Sequence, residues 1–168
     1  MDPGVLRHWF DEVDSDRNGR ISSLELQRAL QLGGLNFSVA ICAQLIRIHD
    51  QDNSHALNFH EFCGMHQFLD RCNANFFYFD KSRTGQLVRS EVREALAHNG
   101  FPLDEPVFEK LFTVFDPDRS NGLAVTEFIA MNIFLASCNS TFGAFSGGRS
   151  AQITLDLQQF IYAAANTR

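Results

Sequence analysis

Twelve residues near the amino terminus, 14–25, carry oxygen-bearing side chains in a regular order. The residues at loop positions 1, 3, 5, 9 and 12 are Asp14, Asp16, Asn18, Ser22 and Glu25. Gly19 lies at position 6, where such a loop turns sharply, and Arg20 at position 7 can offer its backbone carbonyl. Because Ca²⁺ prefers six to eight oxygen ligands at roughly 2.3–2.6 Å, this order predicts a calcium-binding loop that Glu25 closes with both carboxylate oxygens.

The residues on both sides of this loop follow helical spacing. Apolar side chains precede the loop at Leu6, Trp9, Phe10 and Val13, and follow it at Leu26, Ala29 and Leu30. A calcium loop between two amphipathic helices is an EF-hand. The alternative for these residues is an EF-hand that keeps the shape but binds no metal.

A second copy of the loop starts at Asp50 and has a complete ligand set. Its candidate ligands are Asp50, Asp52, Ser54, the carbonyl of Ala56, Asn58 and Glu61. Its position 6 is His55 in place of glycine, although the turn there normally needs a positive φ. We predict a calcium site here as well.

The third and fourth copies start at Asp80 and Asp116 and are weaker candidates. The third has only two carboxylates, and Val88 at position 9 has no side-chain oxygen; its candidates are Asp80, Ser82, Thr84, Gln86 and Glu91. In the fourth, Asn121 holds position 6, the glycine comes one position later, and Ala124 holds position 9. Its candidates are Asp116, Asp118, Ser120, Gly122 and Glu127. Fewer acidic ligands mean weaker calcium binding, so we rank the third loop below the first two. The fourth loop has three carboxylates, but we rank it lower as well because it lacks a ligand at position 9 and its glycine position indicates a displaced turn.

A fifth copy is faint. Residues 146–150 read Ser-Gly-Gly-Arg-Ser and offer no carboxylate, while Ile153 matches the position-8 residues of the other loops. From Ile153 to Phe160 the chain takes seven residues, whereas from Leu57 to Phe62 it takes five, so this loop carries a two-residue insertion. We predict a structural hand that binds no calcium.

The spacing of the copies predicts the helices between them. Successive loops are separated by 24, 18, 24 and 18 residues. The longer gaps contain helix breakers, Gly33-Gly34 and residues 99–102, and predict two helices and a turn each; the shorter gaps, 62–79 and 128–145, predict one continuous helix each. The predicted fold is therefore all-α: a single domain, 1–168, with shared long connecting helices, short loop-to-loop β contacts and five EF-hands near 6–30, 42–69, 72–96, 108–134 and 135–165.

The five loops, their alternating spacing and the inserted fifth loop resemble the penta-EF-hand family, and residues 7–30 look like its branch around programmed cell death protein 6. The resemblance implies calcium binding chiefly by the first and third hands, dimerisation through the fifth hand, and a pocket for proline-rich segments of partner proteins. This sequence departs from that pattern because its third loop is poor in carboxylates and its second loop is rich in them.

Composition narrows the function classes. The net charge of −6 disfavours nucleic acid as a partner. The start, Met-Asp-Pro-Gly, lacks the features of a signal peptide. The sequence contains no run of 18 apolar residues, so we expect no membrane-spanning helix. The cysteines form no C-x-x-C pair and lie in apolar helical contexts, which predicts free thiols in the cytoplasm: Cys42, Cys63, Cys72 and Cys138.

No catalytic motif is present, so we expect no enzyme activity. Three roles remain open: a Ca²⁺-dependent adaptor that exposes an apolar surface to protein partners, a regulatory subunit of a calpain-like enzyme, and a calcium buffer. Two bound ions bring the net charge of −6 to about −2, which favours association with partners or with a membrane surface.

Phenylalanines are frequent at the apolar positions that flank the loops. Each of them can pack in the core, and the alternative is that some line a groove for a partner peptide. The ten are Phe10, Phe62, Phe76, Phe79, Phe108, Phe112, Phe115, Phe128, Phe142 and Phe145.

The odd number of hands predicts assembly. EF-hands pair through a strand contact at loop position 8, so Ile21 can pair with Leu57, and Leu87 with Leu123, which leaves Ile153 without a partner in its own chain. We predict a calcium-independent homodimer or heterodimer through the fifth hand, with contacts from Ile153, Leu155, Leu157 and Phe160. The alternative is that the C-terminal segment folds back onto its own core.

Overall fold

A computed structural model describes residues 2–148 and 152–167 of the chain. Helices account for most of these residues, and two short strands lie between them. The elements in chain order are α1 (Pro3–Val13), α2 (Ser23–Leu32), α3 (Val39–Arg47), α4 (Phe59–Phe79), β1 (Gln86–Val88), α5 (Arg89–His98), α6 (Glu105–Phe115), β2 (Gly122–Ala124), α7 (Val125–Ser146) and α8 (Leu157–Asn166). This all-α architecture with short loop-to-loop β contacts is the predicted fold class.

Capping side chains begin the early helices. The Asp2 carboxylate accepts from the backbone N–H of Gly4 at 2.8 Å before α1, and Ser38 accepts from Ile41 before α3. Ser22 and Glu25 form a reciprocal capping box at the start of α2. These bonds satisfy amide donors that have no partner within the first helical turn, so each helix begins where its loop ends.

The two long helices confirm the prediction for the shorter gaps. α4 has 21 residues and α7 has 22, and both continue without a break from one loop to the next. By length and apolar composition α7 could cross a membrane. Apolar side chains in the N-terminal half of α7 are nevertheless buried within the protein, as in a core helix. They are Phe128, Ile129, Met131, Ile133 and Leu135.

The longer gaps contain two helices each, as predicted. Gly34, with a φ of 84°, follows α2, and Gly100, with a φ of 88°, follows α5. Glycine adopts this left-handed backbone without a steric penalty, so both helices end there and the chain can enter the next helix.

The loops pair as predicted. Ile21 and Leu57 form an antiparallel bridge, with Ile21 N–H donating to the Leu57 carbonyl at 2.8 Å and Leu57 N–H donating back at 2.9 Å. β1 and β2 pair antiparallel, with Leu87 opposite Leu123. All four of these apolar side chains are fully buried, so each bridge also anchors its pair of hands in a core.

The chain forms two compact units. The first comprises the described residues of 1–65 and 133–168, and the second comprises 66–132. In the first unit, Phe10 packs edge-to-face on Phe59 and Phe62, with ring centroids 5.6 and 5.5 Å apart. In the second, Phe76 and Phe128 pack with centroids 6.0 Å apart. Such aromatic pairs add about 0.5–1.5 kcal/mol each to the free energy gained by burial.

Seven of the ten flank phenylalanines are buried: Phe10, Phe62, Phe76, Phe79, Phe108, Phe112 and Phe128. Phe115 and Phe145 are half-buried, and Phe142 is exposed. The core interpretation therefore holds for most of them. Trp9 lies on the apolar stripe expected for α1, yet 41% of it is exposed.

The C-terminal segment combines a tethered end with an exposed apolar face. The Thr167 carbonyl accepts a hydrogen bond from Gln44, and the Asn166 carbonyl accepts from Arg47 at 2.8 Å and from Ser137 at 3.2 Å. No residue of α8 is buried. Its exposed apolar side chains are Leu157, Phe160, Ile161 and Tyr162.

The predicted fifth loop, 146–150, lies partly outside the described residues, because 149–151 are not described. Gly147 and Gly148 follow α7 with positive φ values of 59° and 69°. Within residues 2–148 and 152–167, Ile153 belongs to no strand or bridge. Pairing of the fifth hands of two chains stays a prediction.

Candidate metal centre

The first loop gathers carboxylates at its start and its end. Asp14 and Glu25 are buried, Asp16 is exposed, and one oxygen from each lies within 4.8 Å of the others. The Asp14 carboxylate accepts backbone N–H bonds from Asn18 at 3.0 Å and Gly19 at 2.8 Å, which curl the loop around it. Gly19 has a φ of 80°, the left-handed turn that position 6 requires. The donor chemistry, oxygens alone, fits Ca²⁺.

Glu25 joins the two ends of the first loop. Its Oε1 accepts from the backbone N–H and hydroxyl of Ser15, at 3.0 and 2.8 Å, and its Oε2 accepts from the backbone N–H and hydroxyl of Ser22, at 3.0 and 2.7 Å. Burial alone would raise the pKa of Glu25, but the hydrogen bonds from Ser22 and Ser15 outweigh it and lower the pKa to about 2. The carboxylate is therefore ionised at neutral pH, as a calcium ligand must be.

The second loop repeats this arrangement. Oxygens of Asp50, Asp52 and Glu61 lie within 4.8 Å of one another. Glu61 accepts from the backbone N–H groups of Gln51 and Asn58, at 2.8 and 2.9 Å, and so joins the start of the loop to its end.

His55 adopts the turn that position 6 needs. Its φ is 60°, its backbone N–H donates to Asp50 at 2.9 Å, and its side chain is 90% exposed. Histidine in place of glycine therefore leaves the loop shape intact, at the cost of a strained backbone conformation.

The third loop has the turn but little charge. Gly85 has a φ of 76°, and its N–H donates to Asp80 at 2.8 Å. The hydroxyls of Ser82 and Thr84 lie 3.2 Å apart, and Thr84 donates onward to the Gln86 carbonyl at 2.9 Å. Glu91 accepts from the backbone N–H of Val88 at 3.0 Å at the end of the loop.

The fourth loop keeps its turn at position 6 even though its glycine has moved. Asn121 has a φ of 61°, and its N–H donates to Asp116 at 3.0 Å, whereas Gly122 lies in β2. The Ser120 hydroxyl donates to the Gly122 carbonyl at 2.8 Å. The prediction of a displaced turn is therefore wrong. Asparagine tolerates the left-handed conformation, so the turn stays at position 6 without a glycine there.

The closing glutamate of the fourth loop differs from that of the first. Glu127 accepts from the backbone N–H of Ala124 at 2.8 Å, but position 2 of this loop is Pro117, which has no N–H to donate. Burial raises the pKa of Glu127, and the nearby charges of Asp118 and Asp116 add to this effect. Among the described residues, the three-carboxylate clusters lie in the first two loops, although the fourth loop also has three carboxylates.

The Arg20 side chain makes a contact between the first and second loops, whereas the loop pattern predicts a role only for its backbone carbonyl. The Arg20 guanidinium donates to Asp52 from Nη2 to Oδ2 at 2.9 Å and from Nη1 to Oδ1 at 3.4 Å, and Nη1 also donates to the Ser54 hydroxyl. These bonds from Arg20 lower the pKa of Asp52 below its ordinary range. The hydrogen bond to Asp52 raises the pKa of Arg20, and the charges of Glu61 and Asp50 contribute to this.

Comparisons with known proteins agree with this geometry. The family model described as an EF-hand domain pair matches residues 5–67 and 70–131. A protein named penta-EF hand domain-containing protein 2, from Dictyostelium discoideum, is 30% identical over 154 residues, 92% of this chain and 74% of its own. Peflin from Danio rerio is 26% identical over 167 residues, 96% of this chain and 62% of its own.

A solved structure is similar over nearly the whole chain. It is described as a homolog of programmed cell death 6 protein from Leishmania major Friedlin, with 31% sequence identity and a TM-score of 0.67, and the match covers 97% of this chain and 94% of that one. The chain spans less than two thirds of the zebrafish peflin and about three quarters of the Dictyostelium relative. With four loops of EF-hand geometry and these matches, the chain belongs to the penta-EF-hand family of calcium-binding proteins.

Proposed function

We propose that this protein is a Ca²⁺-dependent adaptor, in which the first and second loops bind calcium and the response is read by protein partners. The ligands of the first site are Asp14, Asp16, Asn18, the Arg20 carbonyl, Ser22 and Glu25. Those of the second are Asp50, Asp52, Ser54, the Ala56 carbonyl, Asn58 and Glu61. The two three-carboxylate clusters support this assignment, and the third and fourth loops are weaker sites.

The position of the closing glutamates is the observation that carries the proposal. Glu25 lies in the first turn of α2 and Glu61 in the first turn of α4, and each carboxylate is hydrogen bonded to the start of its loop. A cation that recruits these oxygens exchanges their hydrogen bonds for metal contacts. Because each carboxylate is fixed to a helix, this exchange moves the helix relative to the loop. Buffer EF-hands share this closing glutamate but barely open when calcium binds, so the extent of the helix movement distinguishes a switch from a buffer.

Exposed apolar side chains support a role in protein recognition. In the second unit, Phe77 and Tyr78 of α4 are 64% and 72% exposed, immediately before the third loop. In the first unit, the exposed apolar face of α8 supports assembly through the fifth hand. Proline-rich segments are partners of suitable chemistry, because their extended helix packs on exposed aromatic rings. The role we propose is not catalytic.

The proposed setting is the cytoplasm, with attachment to membrane surfaces when calcium is bound. All four cysteines are free, which supports a reducing compartment. Neutralisation of part of the −6 net charge by bound Ca²⁺ would reduce repulsion from anionic lipid. Sedimentation with anionic vesicles, in calcium and in chelator, tests the membrane part of this proposal.

A capture experiment tests the adaptor function. The protein, the Glu25→Gln/Glu61→Gln double variant and a Glu12→Gln control are each applied to an immobilised proline-rich peptide, with calcium and with chelator. We expect calcium-dependent capture of the wild-type protein and the control, and none of the double variant. Calorimetric calcium binding without any capture, and without a rise in binding of a hydrophobic dye, would instead indicate a calcium buffer.

A further inference from the structure

The Arg20 side chain begins in the first loop and ends on two candidate ligands of the second. It contacts both carboxylate oxygens of Asp52 and the hydroxyl of Ser54, which hold positions 3 and 5 of that loop. The two charged side chains are about 40% exposed, so this ion pair lies at the surface and can open. All three side-chain oxygens that these two residues offer to a cation are therefore engaged by one guanidinium.

The pairing of the loops explains how Arg20 reaches this place. The bridge between Ile21 and Leu57 sets the two loops side by side, and Arg20 directly precedes Ile21. In the other three described loops position 7 is Ala56, Gln86 or Gly122, and none of these carries a charge. Among the four loops, only the first can extend a cation from position 7 into its partner.

A guanidinium and a calcium ion compete for the same oxygens. The carboxylates of Asp50, Asp52 and Glu61 lie within 4.8 Å of one another and repel, and the charge of Arg20 offsets part of that repulsion in the absence of metal. When Ca²⁺ enters, it must share or take the Asp52 and Ser54 oxygens, and the two cations repel each other. Both effects lower the affinity of the second loop for calcium.

From these contacts we infer that the Arg20 guanidinium is a built-in competitor of Ca²⁺ in the second loop, which weakens that site relative to the first. The inference rests on the proposed function in one respect, namely that the second loop is a calcium site. The backbone carbonyl of Arg20 remains a ligand of the first loop. The same residue therefore contributes to calcium binding in the first loop and lowers the calcium affinity of the second. The two sites then fill at different calcium concentrations although their carboxylate counts are equal.

Calorimetric calcium titration of Arg20→Gln tests this inference. Glutamine keeps the backbone carbonyl, and Gln86 already occupies the same position of the third loop. The matched control is Arg17→Gln, which removes the same charge from the same loop at a position with no ligand role. We expect the second-loop step to tighten about three- to tenfold in Arg20→Gln, the range expected of an exposed ion pair with added charge repulsion. The first-loop step and the control should stay within about twofold of wild type.

Glu61→Gln identifies the second-loop step in each background. The inference is overturned if the second-loop step has the same affinity or a lower one in Arg20→Gln than in wild type. It is also overturned if Arg17→Gln tightens this step equally, or if the step that tightens in Arg20→Gln persists when Glu61→Gln is added. If the wild-type protein shows no Glu61-dependent step, the proposed second site fails. If the wild-type protein lacks this step but Arg20→Gln shows it, the Arg20 side chain is what prevents calcium binding to the second loop. If Arg20→Gln also lacks a Glu61-dependent step, the inference is overturned as well.

A second measurement needs no calcium. In chelator, a double-mutant cycle of Arg20→Gln and Asp52→Asn measures the coupling of the pair in the metal-free protein by urea unfolding. We expect a favourable coupling that changes the unfolding constant by about two- to fivefold. A coupling of zero would mean that the guanidinium does not hold Asp52 before calcium arrives, and the competition would lose its physical basis.

Discussion

Ser15 donates two hydrogen bonds to Oε1 of Glu25, from its backbone N–H at 3.0 Å and from its hydroxyl at 2.8 Å. The two residues stand at opposite ends of the first loop, at positions 2 and 12. Through this contact α2, the helix that follows the loop, is tied to the residue at position 2 of the loop. A ligand that takes the Glu25 oxygens must break this tie, which is why calcium binding and helix position are coupled in the proposed switch.

The weaker loops give the first prediction. Glu91→Gln and Glu127→Gln, which remove the closing carboxylates of the third and fourth loops, should leave the two tightest calcium-binding steps within about twofold of wild type. The reason is that these loops do not gather three carboxylates around one point. Calorimetric titration checks this, and loss of either tight step in Glu91→Gln would restore the third loop as a principal site.

Assembly gives the second prediction. Phe160→Glu places a charge in the exposed apolar face of α8 and should raise the dimer dissociation constant about ten- to hundredfold, as expected when a buried phenylalanine contact is lost. Gln158→Glu adds the same charge to the same helix and is the matched control. Light scattering in chelator measures the dimer, since residues 146–150 carry no carboxylate and the predicted dimer needs no calcium. A wild-type protein that is monomeric at micromolar concentration would contradict the predicted dimer.

A buried amide in the second unit gives the third prediction. Asn132 is 1% exposed, donates to the Phe128 carbonyl at 2.8 Å and accepts from the Asn99 side chain at 2.8 Å. Asn132→Ala removes both bonds and leaves the Asn99 amide without its acceptor, so it should reduce the free energy of unfolding by about 1–3 kcal/mol. Asn139→Ala, on the exposed face of the same helix, should change it by less than about 0.5 kcal/mol. Urea unfolding measures both, and equal effects would mean that the buried amide contributes nothing.

The cysteines give the fourth prediction. Burial raises the pKa of Cys72 to about 12 and that of Cys42 to about 11. A raised pKa means a smaller thiolate fraction at pH 8, and the thiolate is the reactive form. The half-buried Cys63 and Cys138 should therefore react first with a disulfide reagent under native conditions. Mass spectrometry after brief labelling identifies the sites, and early modification of Cys72 would contradict its burial.

The sequence predicted the elements that depend on spacing. The pairing of Ile21 with Leu57 and of Leu87 with Leu123 was predictable because all four residues hold position 8 of their loops. The continuous α4 and α7 were predictable because their gaps lack proline and strong breakers. The positive φ of His55 followed from its position in the loop.

The features that were not predicted from the sequence depend on the direction of side chains. Ligand counting gave the first, second and fourth loops the same carboxylate number, yet the fourth does not bring its three together. Pro117 was a usable signal, because a residue without an N–H cannot hold the closing Glu127 from position 2. The reach of Arg20 to Asp52 depends on strand register and on a long flexible side chain, so ligand spacing within one loop could not reveal it.

Whether Glu25 closes the tightest calcium site is measured by a calorimetric calcium titration of Glu25→Gln beside Glu12→Gln. Both variants remove one carboxylate from the same part of the chain, but only Glu25 belongs to the carboxylate cluster. We predict that Glu25→Gln weakens the tightest step by about two orders of magnitude, because a charged bidentate ligand is lost, while Glu12→Gln leaves it unchanged. A tightest step that persists in Glu25→Gln would mean that Glu25 does not close the tightest calcium site.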